Sequence, residues 1–302
     1  MKTIVITTIY SPSESLLKYV EMKDWNIVIV GDLKTPHDEY RNLESKNSNV
    51  LYLSPEDQDK KYADLSAAIG WNKIQRRSVG FVEAYKMGTE VMATVDDDNI
   101  PYDNWGKNIH IGKTVNVDLW SCETSVFDPL SVTKHSDLWH RGYPIEDVPI
   151  KNRVQYMGKA KRSVKIQADL WDGDPDVDAI CRITKAPIVK FEISNPYCST
   201  KISPFNSQNT FIARECIPHY FIYPYVGRMD DIWASYDLQK AFPDSLVYNS
   251  ATVYQQRNEQ DLIKNMSDEI IGYRNTISYI SGNFKLPDEC KIALDAYRRC
   301  FS

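Results

Sequence analysis

The chain has 302 residues, 42% hydrophobic and 25% charged, with a formal net charge of −5. That composition belongs to a globular protein able to bury a sizeable core, and the acidic balance argues against a broad nucleic-acid surface. No window approaches the ~20 apolar residues of a membrane span, and the apolar run in MKTIVITTIY, about six residues, is too short for a signal peptide. The six cysteines, Cys122, Cys181, Cys198, Cys216, Cys290 and Cys300, form no CxxC pair. The expectation is a cytoplasmic protein with reduced thiols and no zinc site, with peripheral membrane association left open. Nineteen Tyr and seven Trp suit sugar stacking, but an aromatic core is the favoured reading.

In chain order, TIVITTIY (3–10) reads as a buried strand and SESLLKYVEM as a helix capped by Ser13 or Ser15. WNIVIVGD (25–32) and NVLYLSP (49–55) read as further strands. The stretch 68–88, AIGWNKIQRRSVGFVEAYKMG, has near-helical apolar spacing and a stop at Gly88. VMATV (91–95) is the fourth strand. This alternation predicts a mostly parallel sheet covered on both faces. Residues 106–205 are less regular, with strand candidates VDLWSC (117–122) and APIVKFEI (186–193). Helical patterning resumes from FIAREC (211–216), DDIWASYDLQKAF (230–242) reads as an amphipathic helix, and SLVYNSATVYQQ (245–256) reads as a strand. The tail reads as two helices, the second begun by Pro287. No linker divides the chain into independent domains.

Chemistry concentrates in four places. Asp96, Asp97 and Asp98 follow the end of a buried strand, where ligands bind in open α/β sheets. In an extended segment Asp96 and Asp98 point one way and make a hard-oxygen site suited to Mn²⁺ or Mg²⁺; a solvated acidic loop is the plain alternative. Lys73, Arg76 and Arg77 can share one helix stripe, which suits a diphosphate beside a metal, or merely a solvated face. Asp230 and Asp231 start a helix, either as caps or as a general base. DLWDGDPDVDAI (169–180) alternates Asp172, Asp174, Asp176 and Asp178, but Pro175, a misplaced glycine and the missing final glutamate exclude an EF-hand; it reads as a turn with one or two substrate-contacting carboxylates. GxGxxG and GxxxxGK[ST] are absent, and the five histidines have no metal-ligand spacing.

A strand ending in D-x-D behind an arginine-bearing helix resembles the GT-A nucleotide-sugar glycosyltransferases. ADLWDGDPDVDAICRIT, SPFNSQNTFIARECIPHYF and GRMDDIWASYDLQ followed by TVYQQRN resemble, in order, blocks of the plant reversibly glycosylated polypeptides, which are UDP-arabinopyranose mutases. WHRGYPIEDV with GDPDVDAI resembles the STELLO-type glycosyltransferase-like proteins.

The resemblance implies a GT-A three-layer α/β sandwich over 1–257, with a nucleotide half to about 105, an acceptor half to 257 and a helical extension over 258–302. It implies that Asp98 and Asp96 bind Mn²⁺ or Mg²⁺, and that Thr8, Asp32, Arg76, Arg77, Asp96 and Asp97 hold the nucleotide. Asp231, or Asp230, is the implied catalytic base. The implied partners are a nucleotide-sugar donor, UDP-linked, and a glycan or polysaccharide acceptor. Gln255 stands where many such enzymes place a metal-binding histidine. A sugar-nucleotide mutase, a non-catalytic scaffold that binds partner enzymes, and a D-x-D phosphatase (Ile100 standing where that chemistry wants Thr or Val) are the competing readings.

Overall fold

A computed structural model describes residues 1–257 and 260–302. The β-branched runs form β1 (Lys2–Thr8), β2 (Asn26–Gly31), β3 (Val50–Leu53) and β4 (Val91–Val95). They lie parallel in the order β3-β2-β1-β4, with Val5 opposite Val28 and Thr94. Burial on both faces explains their continuous apolar character. Between them run α1 (Glu14–Val20), α2 (His37–Lys46), α3 (Pro55–Ile69) and α4 (Arg77–Lys86). Ser13 is the cap of α1, its hydroxyl accepting from the Leu16 amide. Helices α2 and α3 lie in stretches the sequence reading leaves unassigned. In α2 only Tyr40 is buried, so no apolar stripe announces it.

The helix expected over 68–88 is broken. Gly70 (φ 79°) and Asn72 (φ 57°) adopt left-handed backbone, a 3-10 turn covers Ile74–Arg76, and α4 begins only at Arg77. Helix α4 approaches the sheet at Gly80, where an added Cβ would sit 2.5 Å from Val5 Cγ1 and 2.7 Å from Val30 Cγ2.

The rest of the chain supplies β5 (Asn99–Pro101), β6 (Thr114–Cys122), β7 (Val154–Ser163), β8 (Ile166–Gly173), β9 (Tyr197–Ser199), β10 (Asn209–Ala213) and β11 (Leu246–Gln255). Its helices are α5 (Ala179–Lys185), α6 (Asp230–Ala241), α7 (Leu262–Ile280) and α8 (Asp288–Arg299). The sheet runs β3-β2-β1-β4-β10-β8-β11-β9-β6-β7, with β5 on β11. Along that path β10, β9 and β6 oppose the others, so the α/β sandwich keeps a mostly parallel sheet. The carboxyl ends of β1, β2, β4, β8 and β11 meet the start of β10 at one edge.

Two further expectations fail. FIAREC does not open a helix, because Phe211, Ile212 and Ala213 belong to β10, buried antiparallel between β4 and β8. A short strand buried on both faces shows no alternation to read. APIVKFEI is not a strand either. Ala186 turns left-handed after α5, and the segment's backbone pairs with the sheet through the single bridge of Val189 to Gly173 among the described residues.

The C-terminal helices pack into the common core. Trp233 of α6 stacks on Tyr279 of α7 at 4.3 Å, and the Tyr297 hydroxyl of α8 donates to the carbonyls of Ile217 (2.7 Å) and Tyr220 (3.0 Å). All six cysteines are free. Among the described residues, no helix is long and apolar enough to cross a membrane. Gly80→Val forces α4 off β1 and β2, and is expected to lower stability in urea unfolding by roughly 1–3 kcal/mol or more; an unchanged midpoint would contradict this packing.

Candidate active site

Strand β4 is greasy because it is central, and its first residues past the sheet are the three aspartates. They do not continue extended as expected. The chain turns there, the Asn99 amide donating to the Asp96 carbonyl at 3.3 Å, because β5 must reverse to pair with β11. The turn separates the carboxylates. Asp96 accepts from Arg77 at 2.6 Å. Asp97 accepts from the Thr8 hydroxyl at 2.5 Å, and burial raises its pKa. Among the described residues, the side-chain partner of Asp98 is an amide, Gln255 Nε2 at 3.1 Å. Burial first, and the Asp96 charge second, push it up to about 7.

The arginine stripe also divides. Arg77, 1% exposed, donates to Thr7 Oγ1 (3.1 Å), to the Ser207 carbonyl (2.8 Å) and hydroxyl (2.9 Å), and to Asp96. It therefore joins the ends of β1 and β4 to the start of β10. Arg76 turns away toward Gln58 (2.8 Å), the Gly70 carbonyl (3.0 Å) and the Ser66 hydroxyl (2.9 Å), and lies 3.4 Å over Trp71. Its guanidinium holds the Gly70 turn together. The break that separates the two arginines is itself fixed by Asp32, whose carboxylate accepts from the amides of Asn72 (2.9 Å) and Lys73 (3.0 Å). Lys73 then lies over the Tyr225 ring at 3.9 Å.

At the start of α6, neither aspartate acts as a side-chain cap. Asp231 accepts from the Ser207 amide (2.8 Å) and hydroxyl (3.0 Å), and its other oxygen lies 3.0 Å from Arg141. Arg141 is itself forked onto Asp176, Nε to Oδ1 and a terminal nitrogen to Oδ2, both at 2.9 Å. The Arg141 charge holds Asp231 below the usual range against the opposing effect of burial, and holds Asp176 far below it. Asp230 is less committed. It accepts from Gln75 Nε2 at 2.8 Å and lies 3.8 Å from Arg141. Burial, then the Asp231 charge, raise it to about 7.

The four alternating aspartates serve separate duties. Asp172 accepts from the Phe191 amide (2.7 Å) and the Tyr102 hydroxyl (3.0 Å), Asp174 pairs with Arg182, Asp176 pairs with Arg141, and Asp178 caps α5 at the Cys181 amide (2.7 Å). Only Asp176 lines the main cleft. Sequence reasoning missed Arg141, Ser207, Gln75, Arg228 and Arg257. Arg141 and Asp176 stand in WHRGYPIEDV and GDPDVDAI, the blocks that carry the resemblance, and this is the one signal that pointed at them.

These groups line a cleft of about 500 Å³ bordered by Asp96, Asp98, Arg141, Asp230, Asp231 and Arg257. A more apolar cleft of about 310 Å³, with Thr8, Ile9, Tyr10, Asp32 and Ile74, adjoins it. Thr7, Asn72, Lys73, Ile74 and Asp97 border both. Among the described residues, no cluster of three His, Cys, Asp or Glu could hold a metal by itself. The oxygens at hand are those of the Asp98 carboxylate, and beside it Gln255, which turns Nε2 to Asp98, keeps a buried Oε1 without a hydrogen-bond donor among the described residues. One or two protein oxygens completed by phosphate and water is the habit of Mg²⁺ and Mn²⁺, so the donor set fits such an ion.

No known family model matches the chain. It is similar to two Arabidopsis thaliana proteins, probable glycosyltransferase STELLO2 (26% identical) and probable glycosyltransferase STELLO1 (25%), each over 233 residues covering 69% of this chain and 29% of the relative. The chain thus spans less than a third of the length of these relatives. Among solved structures it is similar to glucosyl-3-phosphoglycerate synthase from Mycobacterium tuberculosis. The complex with phosphoglyceric acid aligns with a TM-score of 0.43 and 10% identity, over 95% of this chain and 81% of that one. The complex with Mn²⁺, uridine diphosphate and phosphoglyceric acid aligns at 0.46 and 11%, over 95% and 80%. The resemblance to STELLO-type proteins therefore holds over most of the chain.

The two helix-start aspartates should separate in a stability titration. The raised Asp230 disfavours folding increasingly from pH ~4, the ordinary carboxyl range, up to about 7. Asp230→Asn should therefore gain stability over the wild type as pH rises through that window. Asp231 is lowered, so its contribution is present above pH ~4 and is lost on acidification; Asp231→Asn should cost about 3 kcal/mol at pH 8. Urea unfolding at pH 5 and pH 8 decides, and an Asp230→Asn variant that loses relative stability at pH 8 would refute the assignment.

Proposed function

We propose that the chain is a metal-dependent glycosyltransferase that takes a sugar from a nucleoside-diphospho-sugar, UDP-linked, and passes it to a glycan hydroxyl with inversion. The observation that carries this reading is the juxtaposition of two clefts across the Asp96–Asp98 turn, with a carboxylate pair of divergent protonation, Asp230 and Asp231, in the larger one. Similarity to proteins named probable glycosyltransferases supports it.

The smaller, apolar cleft suits a pyrimidine nucleoside, with Thr8 and Asp32 at its polar end. Its shared border, Thr7, Asn72, Lys73, Ile74 and Asp97, leads toward Asp98, so the diphosphate lies between Lys73 and Arg257. Arg257 is largely buried, lies 3.6 Å from the Asp174 carboxylate at Nε without a hydrogen bond there among the described residues, and lines the cleft beside Asp98. An ion held by Asp98, with Gln255 and Asp96 at its side, supplies charge neutralisation of the leaving diphosphate when bound.

Asp230 is the base. It faces the cleft with one hydrogen bond, and a base poised near neutrality works best. It takes the acceptor hydroxyl proton as that oxygen attacks the anomeric carbon. The bond to the diphosphate breaks, and its electron pair leaves on the phosphate oxygen, where Lys73 and Arg257 stabilise it. Asp231, held through Oδ2 by Ser207 and ion-paired with Arg141, positions Asp230 and raises its basicity. Arg76 supports the nucleotide border through the Gly70 turn, and Arg77 sets Asp96 in place.

Calorimetry with UDP and GDP, with and without Mn²⁺, tests the donor site. UDP binding that needs the metal and is lost in Asp98→Ala is expected; no binding of either nucleotide by the folded protein would overturn the reading. Asp230→Asn should keep UDP affinity and lose about a hundred- to ten-thousandfold in turnover. Intact UDP binding with no product from any sugar donor would move the scaffold reading forward, and a ring-contracted UDP-sugar would move the mutase reading forward.

A further inference from the structure

Arg228 lies in the 3-10 turn Gly227–Met229, two residues before Asp230, and lines the large cleft. The turn is pinned. Gly227 has φ 58° and a Cβ there would collide with the Asp268 carbonyl, while the Arg228 carbonyl accepts from Arg141. The side chain is pinned as well, because its Nε donates to Glu269 Oε1 at 2.8 Å.

Glu269 is fully buried. Its other oxygen is occupied by the Ala179 amide (2.7 Å) and the Tyr273 hydroxyl (2.6 Å). A carboxylate so occupied accepts one nitrogen from Arg228 and not two. Among the described residues, the terminal nitrogens of Arg228 have no hydrogen-bond or ion-pair partner.

The occupied Glu269 carboxylate therefore leaves the terminal nitrogens uncommitted, and the neighbouring acids do not claim them. Asp268 pairs with Lys264 at 2.6 Å, and the ion-pair partner of Asp230 is Arg141. What remains is a guanidinium about a quarter exposed, tethered at Nε, whose two terminal nitrogens are left without protein partners at the rim of the cleft beside the proposed base. That geometry matches a carboxylate or a phosphate.

We propose that the substrate received beside Asp230 carries an anionic group, carboxylate or phosphate, that the terminal nitrogens of Arg228 bind as a fork. This rests on the donor-site reading above. The anion belongs to the acceptor or to the transferred sugar, and the experiment separates the two.

The full chain is saturated with UDP and Mg²⁺, and inorganic phosphate is titrated in, followed by phosphorus NMR. The expected result is phosphate binding that weakens about tenfold or more in Arg228→Gln and partly recovers in Arg228→Lys, which keeps the contact to Glu269 but not the fork. Absence of phosphate binding to the wild type, or equal binding to wild type and Arg228→Gln, overturns the proposal. If Arg228→Gln fails to fold, the comparison is made with Arg228→Lys, which must still bind phosphate more weakly than the wild type.

UDP-glucuronate is then compared with UDP-glucose. A preference for the acidic sugar that Arg228→Gln abolishes places the anion on the donor, and no preference places it on the acceptor. Should UDP itself not bind, the phosphate titration is repeated without nucleotide on Arg228→Gln and Arg257→Gln. Loss in the first alone retains the anion site without the donor-site reading; loss in the second alone overturns it.

Discussion

A buried chain of alternating charge and hydroxyl links the two halves of the molecule, running Asp96, Arg77, Ser207, Asp231, Arg141, Asp176. Each member comes from a different element: the end of β4, the first residue of α4, the turn before β10, the start of α6, and two loops. Burying so many ions contributes little net stability, since desolvation offsets much of the attraction. What it contributes is position. Ser207 is the junction, donating to one carboxylate while accepting from a guanidinium, so the aspartate turn and the α6 aspartates are held at a fixed relation across the cleft.

The same network explains why two adjacent aspartates diverge. Asp231 is inside it, ion-paired with Arg141 and hydrogen-bonded by Ser207. Asp230 is beside it and feels the Asp231 charge, with Gln75 as the one side chain that hydrogen-bonds its carboxylate among the described residues. Like charges one residue apart would be a defect in a surface helix. Here Arg141 stabilises one carboxylate far more than the other, which is how adjacent acids come to differ in proton affinity.

The N-terminal strands were legible because β1, β2 and β4 are runs of β-branched residues between loop signals. The end of β4 was legible because three like charges break off a greasy run, although the turn that separates their carboxylates was not. The residues that arrange them were not. Arg76 and Arg77 read as one stripe, but Gly70 and Asn72 take left-handed backbone that Asp32 stabilises from forty residues away, and no local pattern announces that. Arg141, Ser207 and Gln75 matter through partners between 24 and 155 residues distant. Single polar residues in irregular segments carry no period to detect. The mistaken helix at FIAREC and the mistaken strand at APIVKFEI share a cause: short apolar runs fit either state until their neighbours are known.

The segment Gly70–Arg76 touches both ends of the site. Its backbone amides sit on Asp32 in the smaller cleft, and its Gln75 side chain sits on Asp230 in the larger one. A ligand in the smaller cleft that displaced this segment would therefore change the hydrogen bond on Asp230 and with it that carboxylate's proton affinity, and by linkage the proton would change the affinity for that ligand by the same factor.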